Sequence, residues 1–209
     1  MSKVHIPTKE EFIKGIEEFE KHENRDAMYK VATFLISHFW SKASDMADGL
    51  GVLLLTWNQA FYRYGNFDFD KLEECIKNNL EKLKKFKSRD ITTLSKSDEP
   101  DMKSIFTEFM KSLQIASGNM EGRKSPVAVA KALHLLAPNF FPLWDVRIAK
   151  VYGCYYNNYP AEKYIRFMKL MKEFVEKVRG YVVLSNYQNK TLLKLIDEFN
   201  YSKYTKRWI

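Results

Sequence analysis

The stretch SGNMEGRKSPVAVAKALHLLAPNFFPLWDVRIAKVYG, residues 117 to 153, holds the side chains best suited to chemistry. Gly118 and Gly122 frame a short turn, and Arg123 and Lys124 follow it directly. Glycines reach positive φ and let a ligand approach the backbone closely. Ser125-Pro126 marks a helix start: serine caps free amides, and proline fits the first turn, where its missing donor is not needed. A glycine turn, the amides of a helix start and two cations together suit a phosphate. The same residues also suit an interhelical turn with solvated cations. Farther on, Asp145 precedes Val146. It can cap the helix that begins there, and it can act as a carboxylate in a partly dry pocket, where its charge counts for more. The two roles are compatible.

These groups must be positioned by what lies between them. The helix from Pro126 runs through Val127, Val129, Ala130, Leu133 and Leu136, and Pro138 stops it. His134 lies within it, in an expected solvated or core-edge position. Asn139 to Asp145 carries bulky aromatics and a second proline, which favour an extended path. A twelve-residue helix is about 18 Å long. Seven extended residues reach about 23 Å. The return can therefore travel back beside the helix and bring Asp145 near Lys124.

The rest of the chain is helical in period. Thr8 and Glu11 form a capping box, and Phe12, Ile16 and Phe19 mark one face behind it. A second helix is predicted over Asp26 to Trp40, with Met28, Val31, Phe34, Leu35 and Phe39 buried and His38 as a hydrogen-bonded core residue. A third, Asp45 to Tyr64, is apolar almost all round at Val52 to Leu55, which predicts a place in the middle of a bundle. Asp70 caps a fourth, with Leu72, Ile76, Leu80 and Leu83 on its face. Polar residues Ser88 to Pro100 read as an internal hinge. Helices over Met102 to Ile115, Ala161 to Arg179 and Leu192 to Phe199 follow, with a weak strand at Tyr181 to Leu184 and a basic aromatic tail. The fold class expected is all-α, a single unit over residues 1–209. Its lobes are drawn at about 30–115 and at 1–29 plus 116–209.

Composition bounds the function. Lys plus Arg is 34 and Asp plus Glu is 26, a net charge of +8 in 209 residues, which favours a polyanionic partner, nucleic acid first. Two cysteines exclude a disulfide framework and a four-cysteine cluster within the chain. The four histidines lie far apart, so no metal site is expected, and no cofactor. The longest apolar run, Gly49 to Trp57, is too short to span a bilayer, and the first residues lack a signal-peptide core. A cytoplasmic monomer without membrane association is the expectation.

With those residues in view, GRKSPVAVAKALHLLAPNFFPLWDVRIAKVYG resembles the helix-hairpin-helix DNA glycosylase superfamily, which includes endonuclease III and the 8-oxoguanine glycosylases. The shared pattern is a glycine hairpin, a helix opening near Gly-Arg-Lys, a proline-bearing return and an Asp before the next helix. Asn119, Met120 and Glu121 stand where the family has a Leu-Pro-Gly-Val-Gly core, and 145 − 124 = 21 residues separate the lysine from the aspartate. The resemblance implies two helical lobes around a central cleft, with Asp145 as the essential aspartate and Lys124 as a Schiff-base nucleophile. Gly118 and Gly122 would then hold a DNA phosphate, with Arg123 beside them. Leu53-Leu-Leu-Thr-Trp57-Asn58-Gln59 resembles the family's leucine-rich helix. This places Trp57, Asn58, Gln59 and Trp144 around the base pocket.

The implied activity is removal of a damaged base from DNA, with or without strand cleavage through the lysine; RNA is the alternative nucleic acid. Lys131, two turns beyond Lys124 on nearly the same helix face, is the second-choice nucleophile, otherwise a DNA-contacting or solvated lysine. The other reading is a non-catalytic helical nucleic-acid-binding or interaction protein on the same scaffold.

Overall fold

Thr8 accepts the Glu11 amide at 3.2 Å and so starts α1, Lys9–His22, which buries Phe12, Ile16 and Phe19 as their spacing predicts. The computed structural model describes residues 5–23, 26–187 and 189–209. Among them are helices and turns and no strand; the Tyr181 to Leu184 segment is instead a loop entering a 3₁₀ turn at Leu184–Asn186.

The second helix, α2, covers Ala27–His38 and buries Tyr29, Ala32 and Ile36, a face turned away from the predicted one. Val31 and Phe34 face solvent, and His38 is exposed and stacks on Phe34. Tyr29 accounts for the turn. It buries the largest side chain on the helix while its hydroxyl meets His134 at 3.1 Å, so the ring goes inward without an unpaired polar group. In α3, Ala43–Trp57, Met46, Leu50, Leu53 and Leu54 are buried, but Val52 is exposed, so the helix is sided rather than central. It breaks at Asn58 into the single turn α4, Gln59–Tyr62. Helix α5, Phe69–Lys87, is capped by Asp68, not Asp70: the Asp68 carboxylate accepts the amides of Asp70 and Lys71 at 3.0 and 3.2 Å.

The segment expected to be a hinge is a packed connector of two 3₁₀ turns, Ile91–Thr93 and Lys96–Asp98. Asp98 is buried and receives a two-pronged Arg89 guanidinium at 2.7 and 2.8 Å, together with the Ser95 amide at 2.9 Å. The Ile91 amide reaches the Asn139 carbonyl at 2.9 Å, and Lys172 reaches the Leu94 carbonyl at 2.9 Å. Polar composition here reflects internal pairing, not mobility. The Arg89 hydrogen bonds hold the Asp98 carboxyl well below the usual carboxylate range. Asp98→Ala is therefore expected to lower stability by about 3–5 kcal/mol at neutral pH, because it strands a half-buried guanidinium. A carboxyl depressed in the folded state stabilises above about pH 4 and loses that contribution as pH falls. The gap between wild type and variant in urea unfolding should thus close in strong acid.

Helix α6, Glu99–Ser112, carries Pro100 in its first turn. Then come α7, Pro126–Leu136, α8, Val146–Val151, α9, Pro160–Val178, and α10, Leu192–Asn200, which runs on into a π-helical turn, Tyr201–Lys206. Helix α3 packs on α2 and α5, α6 on α5, α7 and α9, and α1 on α10. The buried residues form one continuous core. Its most enclosed helix is α7, buried at every position from Ala128 to Leu136 except Lys131. Alanines at 128, 130 and 132 let α2, α3 and α6 close on it. No helix among the described residues is long and apolar enough to cross a membrane.

Candidate active site

The start of α7 folds as its residues dictate. Ser125 accepts the Ala128 amide at 3.2 Å, and the Asn58 side chain reaches the same hydroxyl at 3.3 Å. After α7 the chain turns at Ala137–Phe141 and returns alongside it, and the Trp144 indole donates to the Pro126 carbonyl at 3.3 Å. His134, fully buried, ties the return to α2. Its Nδ1–H donates to the Phe141 carbonyl at 2.8 Å, which leaves Nε2 to accept from the Tyr29 hydroxyl at 3.1 Å. Burial pushes its pKa down to about 3, against the Phe141 hydrogen bond, so it is a neutral strut and not the core-edge or solvated residue expected.

Asp145 ends the return and begins α8. Its Oδ1 accepts the Ile148 amide at 2.7 Å, and its Oδ2 accepts the Thr205 hydroxyl at 2.6 Å. Arg147 in turn holds the Thr205 carbonyl. The carboxylate is thus fixed from two sides while lining a cavity of about 550 Å³. That is a common size for a small-ligand site. The other walls come from the end of α1, the start of α2, Trp57, α7 and α10.

Two lysines line the cavity, Lys131 from α7 and Lys194 from α10, and Lys124 is not one of them. Lys124 is exposed in the turn ahead of Ser125. The extended return does come back to the head of α7. It docks through Trp144 at Pro126, however, and Asp145 then faces the part of the cavity wall that Lys131 supplies on the second turn. Lys131 Nζ donates to the Trp57 carbonyl at 2.7 Å and lies 4.7 Å from the centre of the Trp57 ring. Burial pulls its pKa down to about 8, opposed by the Asp197 and Asp145 carboxylates.

Other expected positions separate. Trp57 lines the cavity, whereas Asn58 is engaged by Ser125 and Gln59 is exposed. Trp144 borders the cavity but is only 2% exposed, packed on Tyr156, Tyr164 and Phe167. Gly118 and Gly122 have the positive φ expected, +98° and +79°. Yet the Gly122 amide donates to the Ile115 carbonyl at 2.8 Å, so it is spent on closing the hairpin and is not free for a phosphate. At Gly118 a Cβ would lie 2.6 Å from the Tyr64 carbonyl; the glycine there serves the close approach of two loops. Arg123 is exposed and bends back onto the Met120 sulfur.

The part of the site missing from the sequence reading is its floor. Helix α10 buries Lys194 and Glu198, while Asp197 is partly buried, its side chain 15% exposed. Lys194 Nζ lies 3.2 Å from Asp26, 3.3 Å from Glu198 and 3.9 Å from Asp197. Lys190 adds a contact of 3.0 Å to Glu198. Burial raises the Glu198 pKa above the usual carboxylate range, and the two lysines oppose it. Burial would lower that of Lys194, but the Glu198, Asp197 and Asp26 carboxylates outweigh it and raise it. The available signal was three charges at i, i+3 and i+4 inside the otherwise apolar LLKLIDEF. Among the described residues no cluster of His, Cys, Asp and Glu is arranged to hold a metal ion. The chain matches no protein-family model, no curated protein and no solved structure.

Proposed function

We propose that this chain is a nucleic-acid glycosylase of the helix-hairpin-helix kind. It would remove a damaged base from DNA in the cavity beside Asp145, with Lys131 rather than Lys124 as the attacking amine. One observation carries this reading: a carboxylate held by two donors and an amine with a burial-lowered pKa line the same cavity. The net charge of +8 suits a phosphate backbone, and a base must leave the stack to enter such a cavity.

The chemistry follows from the groups. At pH 7 a lysine with a pKa of about 8 is a free amine about two-hundredfold more often than an ordinary one. Its lone pair attacks the sugar C1′, and the bond to the base breaks. Asp145, fixed as an acceptor, stabilises the positive charge that develops on the sugar. Opening of the sugar ring gives a Schiff base, which borohydride reduces to a permanent adduct.

The test is a panel of duplex oligonucleotides carrying uracil, 8-oxoguanine or an alkylated adenine, with and without borohydride. Excision and a covalent adduct are expected, with Asp145→Asn slower by about 10²–10⁴. No product across the panel would overturn the reading, as would excision indifferent to Asp145→Asn. Salt-sensitive binding without product would mark a non-catalytic binding module instead.

A further inference from the structure

The cavity holds a second carboxylate in a different situation from the first. Both oxygens of Asp145 accept hydrogen bonds. Among the described residues no hydrogen bond reaches the Asp197 side chain; its one close contact is Lys194 Nζ at 3.9 Å, the longest of the three distances that ammonium makes to carboxylates. The charges beneath the cavity do not balance. Asp26, Asp197 and Glu198 are three carboxylates against the ammonium groups of Lys194 and Lys190, and Lys190 is shared with the half-exposed Glu20 of α1 at 3.0 Å, so at least 3 − 2 = 1 negative charge is unmatched. Lys131 and Asp145, the charged groups facing it from α7 and from the head of α8, cancel when both are ionised. From the end of α1, His22 and Glu23 also line the cavity. An unmatched charge in a mostly buried cluster takes up a proton instead. Asp26 and Glu198 hold the closer ammonium contacts, so the proton goes to Asp197.

On the glycosylase reading above, we propose that Asp197 is the proton donor to the departing base. The Lys131 nitrogen forms its bond to C1′ as the bond from C1′ to the base nitrogen breaks. The electron pair of that bond stays on the base nitrogen, which takes the proton from the Asp197 carboxyl. The surplus proton on the Lys131 nitrogen then passes to the Asp197 carboxylate, restoring the acid. Asp145 keeps its charge throughout. The two acids thus divide the work by their surroundings: Asp145 accepts a hydrogen bond on each oxygen, whereas Asp197 accepts none and has the longest contact to Lys194. In keeping with this, burial first, and then the Asp145, Glu198 and Asp26 charges, push Asp197 up to about 7 against the pull of Lys194.

The experiment measures single-turnover excision from the same oligonucleotide panel, and borohydride trapping on an abasic-site oligonucleotide, for wild type, Asp197→Asn and Asp197→Glu. The reactive forms are Asp197 protonated and Lys131 free, so the wild-type rate should peak at about pH 7.5. In Asp197→Asn excision should fall about a hundredfold and lose its decline at high pH, while the adduct with abasic DNA, which has no base to expel, still forms. Asp197→Glu should recover most of the rate. Excision by Asp197→Asn within a few fold of wild type, with the alkaline decline intact, overturns the proposal. Absence of both excision and abasic adduct in wild type instead overturns the glycosylase reading, and this role of Asp197 falls with it.

Discussion

Lys131→Met is expected to abolish the borohydride adduct and to slow any lyase-coupled excision by at least about a thousandfold, whereas Lys124→Ala leaves adduct formation in place. Methionine keeps an apolar stem of similar length beneath the site of the ammonium, which lies 4.7 Å from the centre of the Trp57 ring, so the loss reads the amine and not the stem. Lys131→Arg should fail equally, since a guanidinium keeps the charge but has no nucleophilic lone pair at this pH. The free-amine requirement also fixes the pH dependence. Trapping on abasic DNA should rise with pH and level off above about 8, where burial has brought Lys131. A trapped adduct that survives in Lys131→Met and vanishes in Lys124→Ala would return the nucleophile to the exposed turn. Gel mobility of the reduced adduct, with peptide mapping of the labelled lysine, decides between them.

That contrast shows where sequence reading succeeds and where it stops. Ser125-Pro126, Pro138 and the Asp145 cap were legible because each acts through its own backbone neighbours, and local hydrogen bonds suffice to realise them. The return of Asp145 to the head of α7 was legible from chain length alone. Which lysine it would face was not, because that depends on the side of α7 left open by α2, α3 and α6. Reach along the backbone says nothing about the direction of a side chain.

The same limit appears on α2 and at His134. The predicted face of α2 leaves out Tyr29, whose hydroxyl is satisfied inside by His134, a partner 105 residues away. The Ser88 to Pro100 segment misled for a related reason. A run of polar residues looks mobile until the Arg89–Asp98 pair and the contacts to Asn139 and Lys172 are known, and none of these is local to a helix. On α10 the charges were visible, but spacing alone did not distinguish a solvated face from a buried network. The distinction comes from Asp26 and Lys190, which approach from outside the helix.

The network under the cavity predicts its own large effect. Lys194→Met should destabilise the protein by about 3–5 kcal/mol at pH 8, because it leaves the buried Glu198 and the partly buried Asp26 and Asp197 around an apolar stem. The sign of the pH dependence follows from the carboxyls. Asp197 and Glu198 have folded-state pKa values above the unfolded ones. Their favourable contribution is therefore full below about pH 4 and is lost as pH rises through the folded values, about 7 for Asp197. Without the ammonium those values climb further, so the variant should lose stability more steeply with pH than wild type, and the two urea midpoints should converge near pH 5. Adding Glu198→Gln to Lys194→Met should recover part of the loss, since it removes a charge the methionine cannot balance. Equal midpoints at pH 8 would mean that the three carboxylates reach water and that no proton is forced onto Asp197. The stability curve and the catalytic profile are thus linked through one cluster: the alkaline decline of excision should move to higher pH in Lys194→Met by the same displacement that lowers its stability.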